Sequence, residues 1–313
     1  MMPLLMLVGE RPNPWARKIL DASWESYSMG YVDHDTLQQF DAVWCGMGQR
    51  IPAGPLDGPY RCQVVACPMT GTEHIDHAAL AAAGITVLSL AGEGDFLRTI
   101  HATAEHTLCL MLAALRRLPQ AVAQRPRYER AELLGGELHG RTVGIVGVGR
   151  IGRMVAGYCK AFGCRVLGWD CGHVPDSIER VADLDDLLLE SDIVSLHLPL
   201  TGHTRGLIDM DRLRMMRRGS LLVNTARGAL IDEVALLHVL QHGPLAMAAL
   251  DVLAGEPEIT AETPLVGYAA AANNLLLTPH IGGNTAESRE ATDCWMANKL
   301  TGWWSERQCA SSA

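Results

Sequence analysis

The chain's 313 residues are enough for two domains at roughly 100–200 residues apiece. Hydrophobic residues make up 48% and charged residues 19%, a balance that permits a sizeable core and excludes wholesale disorder. A formal net charge of −9, with no Lys/Arg block to offset it, argues against general nucleic-acid binding.

Short apolar runs alternate with helical patterns from the start. PLLMLVG predicts a strand and PWARKILDAS a helix; FDAVWCGM and RCQVVACP predict further strands, HIDHAALAAAG a helix closed by Gly84, and ITVLSLAG another strand. Such alternation indicates a parallel α/β sheet. One long helix is predicted over TAEHTLCLMLAALRRLPQAV, apolar all round and therefore buried between layers. The rhythm then repeats. TVGIVG, CRVLGWD, DIVSLHLP, SLLVNTA, MAALDVL and NLLLTPHI read as strands covered on both faces, with DLDDLLLES and DEVALLHVLQHG as helices between them. ESREATDCWMANKLTGWW predicts a final helix that returns to the first segment. The first domain is thus expected to be discontinuous, residues 1–97 plus 284–313, with a second domain over 98–283 inserted in it.

The apolar N-terminus lacks a basic region and a cleavage site, so a buried strand is expected there and not a signal peptide. No apolar run approaches the ~18 residues that a membrane helix needs. Nine cysteines, without a C-x-x-C pair or tight Cys/His spacing, read as reduced thiols of a cytoplasmic protein. Neither a disulfide framework nor a metal site is expected.

TVGIVGVGRIG carries the clearest chemistry. Gly147, Gly149 and Gly152 follow a strand and open a helix, and the next strand ends in the acid Asp170. In that setting Gly147 permits a tight turn, Gly149 lets backbone approach a pyrophosphate, and Gly152 lets helix and strand pack closely. The helix N-terminus offers unpaired N–H groups to the anion. Asp170 stands where a carboxylate holds a ribose 2′-hydroxyl, and Cys171, Gly172 and His173 supply no Arg for a 2′-phosphate, so NAD is expected over NADP. Ligands of open α/β sheets gather at the carboxyl ends of strands. That draws attention to Arg227 after SLLVNTA, Glu256 after MAALDVLAG and His280 after NLLLT.

GVGRIG, SLHLPLTGHTRGLI, LLVNTARG, ALDVLAGEP and LTPHIGG, in that order and spacing, make the chain resemble the D-isomer-specific 2-hydroxyacid dehydrogenases over nearly its whole length. The resemblance implies a Rossmann-type dinucleotide-binding domain inserted in a smaller flavodoxin-like α/β domain. It implies an NAD-dependent enzyme that interconverts a small D-2-hydroxy acid and its 2-keto acid, with Arg227, Glu256 and His280 as catalytic residues. The residue types suit the reaction. A protonated His280 donates to the carbonyl oxygen as hydride arrives, Glu256 beside it favours the imidazolium, and the planar fork of Arg227 grips the substrate. The resemblance further brings the backbone of Arg150 and Ile151 to the pyrophosphate, and His197, Pro199 and Thr204 to the adenosine side. Thr225 and Ala226 would lie beside the nicotinamide, and Asp251 would meet its carboxamide. MTGTEHID resembles the loop whose amides hold the substrate carboxylate, which points to Thr70, Gly71 and Thr72. A homodimer is implied through the long helix and RYERAELLGGEL, where Tyr128 replaces a Trp common in relatives.

Two departures matter. Phosphoglycerate-type relatives carry an Arg just after the strand equivalent to DAVWC, whereas here Cys45, Gly46, Met47 and Gly48 follow, with no Arg until Arg50. A small acid without phosphate is therefore expected. The connection AGEGDFLRTIHATAEH is longer than usual and adds Arg98 and His101, as readers of the substrate's far end or as a solvated helix start. Two other readings stay open: a phosphite-type oxyanion dehydrogenase, which shares the three residue types, and a non-enzymatic dinucleotide-sensing protein resembling the C-terminal-binding corepressors. The short tail after Trp304 makes the enzyme the expectation.

Overall fold

The computed structural model describes residues 2–311 except 10, 30–31, 49, 53–55, 57 and 124–132; Tyr128 and most of the segment around it lie outside the described residues. The chain forms two compact units, Met1–Ile100 with Thr285–Ala313, and His101–Asn284.

The first unit holds β1 (Leu4–Val8), β2 (Glu25–Met29), β3 (Ala42–Cys45), β4 (Val64–Ala66) and β5 (Thr86–Leu88). They pair in parallel in the order β2-β1-β3-β4-β5, the doubly wound flavodoxin-type arrangement. Alternate residues of β1 serve opposite faces. Leu5 and Leu7 pack with Trp24 and Trp44, and Met6 and Val8 with Val43, Val65 and Leu80. The final helix, Ala286–Ser311, belongs to this unit and adds Met296, Ala297 and Leu300 to the first cluster. Asn13 ties it down. Its side-chain oxygen caps helix Pro14–Asp21, its amide donates to the Arg289 carbonyl at 3.0 Å, and its N–H donates to Asp293 at 2.9 Å. Strand β2 was not legible in ESYSM, because an edge strand with an exposed Tyr27 needs no apolar run to pair through its backbone.

The second unit holds β6 (Thr142–Val146), β7 (Arg165–Trp169), β8 (Glu179–Arg180), β9 (Ile193–Leu196), β10 (Leu221–Asn224), β11 (Met247–Leu250) and β12 (Leu275–Leu277). All pair in parallel, in the order β12-β11-β10-β9-β6-β7-β8. This is the Rossmann order extended by one strand, with its switch point between β6 and β9. Val146, Leu196, Leu222 and Leu250 serve one face, and Ile145, Ile193, Val223 and Ala249 the other. Both faces are covered, which is why these strands read as unbroken apolar runs.

The single long helix expected over 103–122 is two. Helix Ala102–Leu115 ends, Arg117 turns with φ +48°, and a short helix Leu118–Ala123 follows. Pro119 accounts for the break: it has no N–H to give, and its ring would meet the carbonyl of Leu115. Among the described residues no helix is long and apolar enough to cross a membrane.

Candidate active site

Strand β6 leads straight into the glycine-rich turn. Gly147 has φ +95°, and a Cβ there would lie 2.8 Å from the His197 carbonyl carbon on the adjoining β9 segment. A Cβ at Gly152 would lie 2.1 Å from the Gly147 carbonyl oxygen. Gly149, in contrast, faces open space, and as N-cap of helix Arg150–Ala161 it provides no side chain to cover the first N–H groups. The turn is a cradle: packed at its two outer glycines, open at the middle one, with the N-terminal end of a helix above it.

Asp170 lies just past β7 and supports the turn. Its carboxylate accepts from Val148 N and from Gly172 N, both at 2.7 Å. A carboxylate has about four acceptor positions, so these bonds leave capacity for a ribose hydroxyl. Arg150, half-buried by the turn, is held below its ordinary pKa by desolvation. His197 contacts Ser195 Oγ through Nε2 at 2.9 Å, and desolvation lowers its pKa to about 3. Thr204 is spent locally, its hydroxyl donating to the Pro199 carbonyl at 2.7 Å while accepting from Thr201 N at 2.8 Å. Those bonds shape the 199–204 turn.

Arg227, Glu256 and His280 follow three adjacent strands, β10, β11 and β12, so their loops emerge side by side at the carboxyl edge of the sheet. Glu256 and His280 are in direct contact, Oε2 against Nδ1. The other Glu256 oxygen accepts from Leu253 N at 2.7 Å, which fixes the carboxylate within its own loop. Gly228 locks the neighbouring loop in place: a Cβ there would lie 2.0 Å from the Leu253 carbonyl carbon. Asn224 frames the Arg227 segment, donating to the Arg227 carbonyl at 2.9 Å and accepting from Ala226 N at 3.0 Å. Thr225 is buried, its hydroxyl 2.7 Å from that of Thr107.

Asp251 is 1% exposed, and both of its carboxylate oxygens are engaged, Oδ2 by a single donor. It accepts from Thr278 Oγ1 at 2.6 Å, Ile281 N at 2.9 Å and Gly282 N at 2.7 Å, with His106 Nε2 at 3.2 Å. Burial alone would raise its pKa, but the hydrogen bonds from His106, Thr278, Ile281 and Gly282 outweigh it and hold the carboxyl below its usual range. The acid at this position thus organises the His280 loop. Glu233 does similar work for the Glu256 loop, accepting from Ala254 N at 2.6 Å; its pKa is raised by burial, with the Glu256 charge adding to the rise.

Residues 108–282 match the family described as D-isomer specific 2-hydroxyacid dehydrogenase, NAD binding domain. The chain belongs to the D-isomer-specific 2-hydroxyacid dehydrogenase family. It is 37% identical to a glyoxylate reductase of Aeropyrum pernix, over 85% of this chain and 81% of that one. It is 32% identical to a D-3-phosphoglycerate dehydrogenase of Methanocaldococcus jannaschii, over 94% of this chain and 56% of that one. A D-lactate dehydrogenase structure from Aquifex aeolicus, in complex with NAD and lactic acid, shares the fold with TM-score 0.80 and 26% identity, covering 96% of each chain. The chain spans about half the length of the first curated relatives it matches.

Other residues singled out from the sequence of this family member lie apart from that cluster in the chain. Thr70, Gly71 and Thr72 form a loop after β4 in the first unit, and Thr72 Oγ1 contacts His77 Nε2 at 2.9 Å. Arg98 pairs with Asp95 at an exposed helix end, and His101 contacts the Tyr158 hydroxyl at 2.9 Å, which supports the solvated-helix-start reading. Sequence reasoning missed His106, Asn224 and Glu233, all of which act on the backbone or carboxylates of the site loops. It also missed the meeting of Cys45, Cys67 and His74, because Cys45 lies on a separate strand well before the other two and no close Cys/His spacing marks the group.

Proposed function

We propose that this protein is an NAD(H)-dependent oxidoreductase that interconverts a small D-2-hydroxy acid and its 2-keto acid. The observation that carries the reading is the His280–Glu256 pair beside the Arg227 loop at the carboxyl edge of a Rossmann sheet. With Nδ1 committed to Glu256, the Nε2 of His280 is the atom that gives a proton to the substrate oxygen during reduction and takes it back during oxidation. Glu256 stabilises the imidazolium that must exist before proton donation. Arg227 binds the carboxylate and orients the carbonyl. Bound nicotinamide would supply or accept the hydride.

The glycine cradle fits a dinucleotide. Gly147, Gly149, Gly152 and the backbone of Arg150 and Ile151 would hold the pyrophosphate, and Asp170 the ribose. His197, Pro199 and Thr204 would line the adenosine side and Thr225 with Ala226 the nicotinamide side, with Asp251 both orienting His280 and meeting the carboxamide. We assign dinucleotide binding to residues 98–283 and substrate capture to 1–97 with 284–313, where the amides of Thr70, Gly71 and Thr72 would take the carboxylate. Nine unpaired thiols support a cytoplasmic setting. Exposed Leu118, Val122 and Leu134 support a homodimer through that part of the second unit.

NADH consumption with glyoxylate, pyruvate and hydroxypyruvate tests the reading, alongside His280→Ala. Turnover should appear with at least one acid and fall about 10²–10⁴-fold in the variant, with NADH binding retained. Tight NADH binding without turnover on any 2-keto acid would replace the enzyme with a dinucleotide sensor.

A further inference from the structure

We infer that Cys45, Cys67 and His74 form a three-ligand site for a soft divalent transition-metal ion of the Zn(II) class. One ligand atom from each lies within 4.8 Å of the others. The fold creates this meeting. Trp44 and Ala66 are register partners in the parallel pair β3–β4, so Cys45 and Cys67 come next to each other at the carboxyl edge of that sheet. Cys67 N is fixed by the Leu88 carbonyl at 2.8 Å, and the His74 carbonyl by Ile51 N, also at 2.8 Å. The ligands are thus presented from backbone anchored on both sides. With metal–sulfur bonds of about 2.3 Å, a tetrahedral ion needs its two sulfurs roughly 3.8 Å apart, so the cluster has to close by no more than about 1 Å.

The donor set and its surroundings select the metal class. Two sulfurs and an imidazole suit Zn(II) and its soft neighbours, and offer nothing to Ca(II) or Mg(II), which prefer oxygen. Cys45 and Cys67 are 1% and 0% exposed, and two thiolates neutralise a dication, which makes the filled site compatible with burial. Nε2 of His74 is buried with no hydrogen-bond partner, an unusual state for a ring nitrogen. An arriving ion displaces the two thiol protons to solvent, and the fourth coordination position takes water or an outside ligand.

Cys67 and His74 bracket the stretch that contains Thr70, Gly71 and Thr72. A bound ion therefore ties both ends of the loop that we propose takes the substrate carboxylate, and loading should change the KM for a 2-keto acid. This consequence rests on the proposed function, but metal binding does not.

The test uses the full chain, stripped with chelator under reducing conditions and titrated with Zn(II) and, separately, Co(II). Metal content is read after desalting, and Co(II) ligation by its thiolate charge-transfer absorption. We expect one ion per chain with a thiolate signature. Binding should disappear in Cys67→Ser and in His74→Gln, and survive when the exposed Cys109, Cys171 and Cys309 are all changed to Ser. His74→Gln keeps both thiols, so matching thermal unfolding with the parent separates ligand loss from misfolding. Stoichiometry at background, uptake that follows the exposed thiols, or a Cys45–Cys67 disulfide in place of metal would each overturn the site. An ion bound without any change in KM would overturn the loop consequence alone.

Discussion

Asp251 holds the loop on which His280 sits. Its carbonyl accepts His280 N–H at 2.8 Å, and its two carboxylate oxygens accept the next two amides, those of Ile281 and Gly282. His280 has φ +53°, a left-handed conformation that costs a non-glycine residue about 1–2 kcal/mol, and these bonds sustain it. Asp251→Asn keeps the shape but puts an amide donor against at least one N–H. A displacement of about 1 Å at the acid–base group can cost roughly 10²-fold in rate, so kcat should fall by about tenfold or more. The stability difference has a definite sign with pH. The Asp251 pKa is depressed on folding, so its contribution is complete above the ordinary carboxyl value of about 3.9 and is lost as pH falls through the lower folded value. Parent and variant should therefore differ most near neutrality and converge in acid, as urea unfolding at several pH values would reveal. An unchanged kcat removes the positioning role.

The glycines of the site predict opposite outcomes for one added methyl group. Gly228→Ala drives a Cβ into the Leu253–Ala254 backbone, 2.0 and 2.2 Å away, where nothing yields cheaply. It should destabilise the fold by about 1–3 kcal/mol and reduce kcat, because the loops of Arg227 and Glu256 are forced apart. Gly149→Ala meets nothing within 4 Å and should leave stability close to the parent, yet weaken NADH where the pyrophosphate is meant to approach. Denaturant unfolding and NADH fluorescence titration of both variants separate the two. Equal effects on both readouts would count against the cradle.

The contrast also marks what was legible beforehand. Six strands of the second unit announced themselves because both faces are buried, whereas β8, an exposed Glu179–Arg180 pair at the sheet edge, did not; Arg227, Glu256 and His280 stood out because each follows one of the six. What stayed hidden depends on contacts between residues distant in the chain. His106 meets Asp251 across 145 positions, and Gly228 is constrained by a neighbouring loop, which no local pattern encodes. Strand β2 is an edge whose pairing is purely backbone, and the long helix was drawn through Pro119 because apolar spacing outweighed the proline in the pattern.

His197 should make the fold acid-sensitive well above the carboxylate range. Folding holds its ring neutral, with desolvation lowering the pKa to about 3, whereas the unfolded ring binds a proton below about 6.5. Its contribution is therefore complete above about 6.5 and shrinks as pH falls toward 3, at no more than about 1.4 kcal/mol per pH unit. The residue's partial exposure keeps the slope below that limit. His197→Gln cannot charge, so the parent's advantage over it should narrow between pH about 7.5 and about 5. A constant gap between the two proteins across that range would show that His197 is not held neutral by the fold.

Substrate size is the remaining choice, and relatives with both phosphorylated and small-acid names leave it open. The stretch after β3 supplies no cation at Cys45, Gly46, Met47 or Gly48. Cys45 and Gly46 are buried, and Gly46 N is already given to the Val8 carbonyl at 3.3 Å. Arg98, on the longer connection, is engaged by Asp95. Leaving a phosphate dianion without a cationic partner in a desolvated pocket is costly. Hydroxypyruvate should therefore exceed phosphohydroxypyruvate in kcat/KM by about tenfold or more, a difference of ~1.4 kcal/mol in transition-state binding. Side-by-side kinetics decide it. Should the phosphorylated acid win by that margin, the inference from Gly46 fails, and Arg98→Ala and Arg50→Ala would identify which side chain takes the phosphate.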